Sequence, residues 1–149
     1  MVNESLIEIV ERYFEKIPRP YANYEYGRFI SQRKLNNAQK LYAPYDNEKE
    51  RPLLLIDDTI FKSAKEGILL TNENIYFRLS IRRGILKTTI NCIPLKEITD
   101  ISFELGKKGS DLIVNGKKVA FTTAFGIGGL EEKEGKIINR LFEIMIDSL

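Results

Sequence analysis

The chain has no histidine and a single cysteine in 149 residues. Without histidine there is no Ser-His-Asp or Cys-His catalysis, no His-ligated zinc and no ordinary general base at neutral pH. The lone Cys92 cannot close an internal disulfide. It stands in the apolar-flanked string ILKTTINCIPL, so a buried core thiol is expected. Long hydrophobic runs are also lacking: none approaches the roughly 18 residues that a membrane-spanning helix needs. The opening MVNESLIEIVERYF carries acids from Glu4 onward and lacks a basic start and a small-residue cleavage site, so a secretory signal is not expected and a cytoplasmic location is. Net charge is only +2. Residues 51–130 hold twelve basic side chains against eight acidic, a mild excess that does not predict specific nucleic-acid binding.

What is present suits a single domain, with 43% hydrophobic and 30% charged residues. Residues 4–17 repeat apolar side chains at three- and four-residue spacing (Leu6, Val10, Tyr13, Phe14, Ile17), which predicts an amphipathic helix ended by Pro18 and Pro20. An aromatic-rich linker follows. Ser31 then reads as the cap of a short helix over SQRKLNNAQKLYA, closed by Pro44, and residues 46–52 read as a polar surface loop. From Leu53 the pattern changes to short β-branched and aromatic runs: LLLI, GILLT, IYFRLSI, ILKTTINCI, ITDISFEL, DLIVN and KKVAFTTAF, about seven strands divided by turn-forming residues. Asn115-Gly116 predicts a type I′ hairpin, because both central residues need positive φ. A last amphipathic helix runs from about Leu130 to Leu149, with Ile138, Leu141, Phe142 and Met145 in one stripe and Gly135 as a weak point near its start.

The strings KEGILLTNENIYFR and CIPLKEITDISFEL, followed by that helix, resemble bacterial pleckstrin-homology-like and GRAM-like domains of uncharacterised function, in which an N-terminal helical extension precedes the domain. The resemblance covers about residues 50–149. It implies an α+β fold: a bent antiparallel β-barrel of about seven strands capped by the C-terminal helix, with two helices in residues 1–49 packed on it. Ile93, Leu95, Ile98 and Ile101 would face the core. It also implies a binding or adaptor role without catalysis, since domains of this kind bind phosphoinositides, peptides or other proteins and are rarely enzymes.

Candidate sites are therefore sought as surfaces. Asp57 and Asp58 adjoin on a strand end, where neighbouring side chains point to opposite faces and cannot easily share a proton or a metal. Ser63 and Lys65 match a nucleophile and base in type only. The glycines of AFGIGGLEEKEG lack both the Rossmann spacing and the P-loop lysine, so a strand-to-helix connection is expected there. Neither a cofactor nor a metal is expected. The segment with Tyr21, Tyr24, Tyr26, Arg28, Arg33 and Tyr42 has the composition of an interface hot spot, and it is the leading partner-binding candidate even though docking on its own sheet would use the same rings. Arg78, Arg82, Arg83, Lys87, Lys107, Lys108, Lys117 and Lys118 would form a basic rim if their turns share one end of the barrel. The expected partner is another protein. A toxin-neutralising inhibitor and a weak contact with anionic membrane are the alternatives.

Overall fold

A computed structural model describes residues 4–18, 23–59, 65–80 and 88–149. Helix α1 (Glu4–Glu15) buries Leu6, Ile7, Val10 and Phe14, the three- and four-residue repeat that places them on one face, and ends short of Pro18. Strand β1 (Tyr24–Tyr26) follows, inside the segment read from sequence as a linker. Helix α2 (Gln32–Leu41) begins at Ser31, whose Oγ accepts from the Lys34 amide at 3.5 Å.

Four further strands continue from β1 as an antiparallel meander: β2 (Pro52–Asp57), β3 (Gly67–Thr71), β4 (Asn74–Ser80) and β5 (Thr88–Pro94). A second meander of three contains β6 (Ile101–Gly106), β7 (Gly109–Val114) and β8 (Lys117–Thr122). A single bridge, Ser80 with Phe121, joins the two sheets. Helix α3 (Gly129–Ser148) ends the chain. The β7–β8 turn is the expected hairpin, with Asn115 at φ 51° and Gly116 at φ 81°.

The fold is α+β, but the sheets do not close into the barrel expected from sequence. Among the described residues β1 pairs only with β2, and β6 only with β7. The reason is visible at β6. Asn139 of α3 accepts from the Phe103 amide at 2.7 Å and donates to the Phe103 carbonyl at 2.9 Å, so a side-chain amide takes the place of a closing strand. Helices α1 and α3 contact each other here, and the Tyr13 hydroxyl donates to the Ile137 carbonyl at 2.6 Å. The strand count also rises to eight, because β1 extends the first sheet.

Two cores result. The larger lies between the sheets and beneath α1 and α3, and it takes Leu54, Ile56, Ile68, Leu70, Phe77, Phe103 and Phe142, together with Leu95, Ile98 and Ile101. The smaller lies on the outer face of the first sheet, where α2 and the following loop cover Leu55, Leu69 and Tyr76 with Leu35, Ala38, Tyr42 and Tyr45. This explains why β2 and β3 read as unbroken apolar runs. A sheet covered on both faces needs no polar alternation.

Gly135 is no weak point in this setting. A Cβ there would stand 2.7 Å from a Leu105 methyl, so the absence of a side chain is what lets α3 approach β6. Cys92 departs from expectation too. It is exposed on β5, the outermost strand of its sheet, because the strand's inward phase falls on Ile93, which packs against the larger core.

Candidate binding cleft between the second helix and the first sheet

Helix α2 is fixed over the outer sheet face by charge as well as by packing. Lys34 lies 3.3 Å from Asp57 Oδ2 and 3.6 Å from Glu25 Oε2, and the Asp57 side chain is only 3% exposed. Asp57 Oδ1 also accepts from the Thr59 amide and hydroxyl, at 3.0 and 2.6 Å. The neighbouring Tyr42 hydroxyl is pushed above its ordinary range by burial, with the Asp57 charge adding to the effect. Asp58 turns the other way. Its Oδ1 accepts from the hydroxyls of Thr122 and Thr123, at 3.0 and 2.7 Å, and from the Thr123 amide at 2.9 Å. The two aspartates thus face opposite sides of the strand end and anchor different elements.

A second anchor holds the loop after α2. Glu50, expected on a polar surface loop, is buried instead. Its carboxylate accepts from Thr71 Oγ1 at 2.6 Å, Asn74 Nδ2 at 2.9 Å and the Tyr76 hydroxyl at 2.8 Å. Burial, with the Glu50 charge behind it, pushes Tyr45 up to about 12. Tyr76 is raised by burial and by its bond to Glu50.

Between these anchors lies a cleft of about 610 Å³, lined by Asn37, Lys40 and Leu41 of α2, by Thr59, Lys65 and Glu66 flanking the β2–β3 connection, and by Arg78 of β4. Three cations face one carboxylate. None of Lys40, Lys65 and Arg78 has an ion pair with another described residue. Arg78 Nε is buried and has no hydrogen-bond partner among the described residues. A buried guanidinium donor left unpaired is costly unless a ligand or water completes it. The chemistry on offer is capture of an anion by a planar fork and two flexible ammonium groups. Among the described residues no three acidic or cysteine side chains converge as metal ligands would.

Compared with known proteins, the chain matches no family model, no curated protein and no solved structure. The cleft is therefore read from its own geometry.

The sequence-predicted residues fall in different places. Tyr24, Tyr26 and Tyr42 are buried, so the aromatic partner face expected from composition is used internally. The Phe14 ring stacks on Tyr26 at 4.6 Å between centroids and lies 5.4 Å from Tyr24. Arg28 and Arg33 are exposed, with the Arg28 guanidinium 5.1 Å from the centre of the Phe29 ring. Tyr21, Ser63, Arg82, Arg83 and Lys87 lie outside the described residues. Lys107 and Lys108 occupy the β6–β7 turn, while Lys117 and Lys118 open β8 beside the β7–β8 turn, at the other end of β7. These four lysines do not form one rim, because successive turns of a meander alternate between its ends. Lys118 is moreover paired with Asp111 at 3.4 Å. Of the basic candidates described, Arg78 alone enters the cleft. Lys40 was missed in sequence because it looks like an ordinary lysine in a last helical turn, and nothing local reports that α2 lies across β4.

Proposed function

We propose that the chain is a non-catalytic binding module, an adaptor on a scaffold with the element order of pleckstrin-homology-like domains, that recognises an acidic segment of a protein partner in the cleft of Lys40, Lys65 and Arg78. The observation that carries this reading is a cleft lined by three cations and one carboxylate, one of the cations being Arg78, whose buried Nε has no hydrogen-bond partner among the described residues. A carboxylate entering there would complete the guanidinium and displace water from a site whose walls are held by Glu50 and by the Lys34–Asp57 pair. Electrostatic attraction would also speed encounter and make binding weaken with salt.

The test uses a fluorescein-labelled peptide rich in Glu and Asp, followed by anisotropy at low and near-physiological salt. Wild type should bind, and Lys40→Ala/Arg78→Ala should bind about tenfold or more weakly, the equivalent of losing roughly 1.4 kcal/mol. Lys107→Ala/Lys108→Ala, two charges removed at a distant turn, should leave affinity unchanged. Equal loss in both variants, or binding to phosphatidylserine vesicles with none to the peptide, would refute the reading.

A further inference from the structure

Four strands bound the two sheets, and three are guarded. Strand β1 has only three residues, the outer edge of β6 is occupied by the Asn139 amide, and β8 opens with Lys117 and Lys118 and is bridged to β4 at Phe121. Strand β5 is seven residues long, and among the described residues no strand pairs with its outer edge. Its sequence, TTINCIP, carries no charge. Ile90 is 58% exposed, the most exposed of the large apolar side chains described. Natural sheets guard such edges with lysine, proline or a bulge, and only Pro94, at the very end, does so here.

The phase of the strand decides which backbone groups are open. Pro94, which has no N–H, stands opposite Asn74, and the Leu95 amide donates to the Glu73 carbonyl at 2.9 Å. The opposed residues Asn74 and Pro94, Tyr76 and Cys92, Arg78 and Ile90, and Ser80 and Thr88 are therefore the non-hydrogen-bonded pairs. It follows that Thr88, Ile90 and Cys92 turn their N–H and C=O groups away from β4. Of these, the Cys92 amide is held by Asn91 Oδ1 at 2.8 Å, a bond within the strand that a neighbouring carbonyl would replace. A row of open donors and acceptors is a template for an added extended strand.

We propose that β5 is the interface of a homodimer, in which two copies pair antiparallel about a two-fold axis at Ile90. The occupant follows from the strand itself. An uncharged edge gives a charged partner no electrostatic hold. Paired with its own copy, each outward-facing residue meets another: Ile90 meets Ile90, and Cys92 meets Thr88. Pro94, which cannot donate, falls outside the paired stretch. Such an interface is isologous, as the commonest soluble dimers are.

The two-fold axis stands perpendicular to the sheet, so both α2 helices lie on the same side. Arg78 is directly opposite Ile90 on β4, which brings the two Arg78 backbones to within about 15 Å, from the ordinary spacings of antiparallel pairs. Dimerisation would set two basic clefts side by side and allow bivalent capture of an acidic partner. The dimer rests on the edge geometry alone and stands or falls without the cleft reading.

Sedimentation equilibrium of the full chain tests it. Wild type should run at twice the monomer mass of 17.2 kDa. Ile90→Lys, which sets two ammonium groups against each other on the axis, should run as a folded monomer with unchanged circular dichroism, since the side chain is exposed. For register, Thr88→Cys under mild oxidation should give a covalent dimer through Cys92 of the second copy, because hydrogen-bonded pairs have Cα atoms about 5.5 Å apart, within disulfide range. Thr89→Cys, one residue out of phase, should not. A monomeric wild type, a dimeric Ile90→Lys, or equal cross-linking by both cysteine variants would overturn the proposal.

Discussion

Replacing Glu50 with alanine tests whether the loop after α2 is anchored by one buried carboxylate. No cation among the described residues pairs with Glu50; its partners are neutral donors. Their losses can be taken in turn. Tyr76 is 6% exposed, and its hydroxyl would be left without its acceptor in a site closed to water, at a cost of about 2 kcal/mol. The half-buried Asn74 amide keeps a 3.3 Å contact with Tyr76 and can reach solvent, so its loss is about 1 kcal/mol. Thr71 keeps the Asn74 carbonyl at 3.2 Å as an acceptor and loses little. Removing the carboxylate also relieves its own desolvation, which offsets part of the total. The expected net cost is about 2–3 kcal/mol, corresponding to a fall in Tm of roughly 8 °C for a chain of this size. Urea denaturation of wild type, Glu50→Ala, Tyr76→Phe and the double variant measures it. The tyrosine change should cost less in the alanine background than in wild type, because the bond is already gone. A Glu50→Ala variant within about 0.5 kcal/mol of wild type, or strict additivity in the cycle, would refute the account.

Two other outcomes follow from the same structure. Gly67 has φ +151°, and a Cβ there would collide with the Ile56 carbonyl across the β2–β3 pair, so Gly67→Ala should cost about 3 kcal/mol or more, read as a lowered urea midpoint; near-wild-type stability would mean that the strand pair is arranged otherwise. Burial raises the Asp58 carboxyl above its ordinary value despite the bonds from Thr123 and Thr122. A raised folded-state value means that Asp58 favours the native state below the ordinary carboxylate range and loses that contribution as pH rises through its folded value. Asp58→Asn keeps the accepting oxygen and removes the charge, so it should be at least as stable as wild type at pH 7, with wild type gaining on it as pH falls toward about 4. A variant clearly less stable at pH 7 would show that the charge itself is needed.

The helices were legible from their three- and four-residue apolar period, and seven of the strands from short β-branched and aromatic runs divided by turn-forming residues. The Asn115-Gly116 turn was legible because only a few residues accept its backbone angles. Strand β1 was not, since a three-residue YEY between turns has no period to detect, and it is extended only because β2 offers it a free edge. The fate of the tyrosines was ambiguous for a similar reason: composition gives the same rings to an interface and to a core. Phe14 and the sheet decide it by burying Tyr24 and Tyr26. The cleft was the least legible feature. Arg78 was named from sequence, but as part of a rim with lysines that the strand order sends to other turns, whereas its companions Lys40 and Lys65 stand thirty-eight and thirteen residues away in the chain.

The sequence by itself determined the kinds of element and their order, β1 excepted, because apolar spacing, prolines, caps and positive-φ turns act over a few residues. It also removed histidine chemistry outright, since a side chain that is absent cannot be supplied by folding. The tertiary structure alone decided that the sheets stay open, that Glu50 is buried and Cys92 is not, and that three cations share one cleft. Each of these depends on which surface lies across from a residue, and that is set by the docking of α2 on the outer sheet face and of α3 against β6, contacts between segments far apart in the chain.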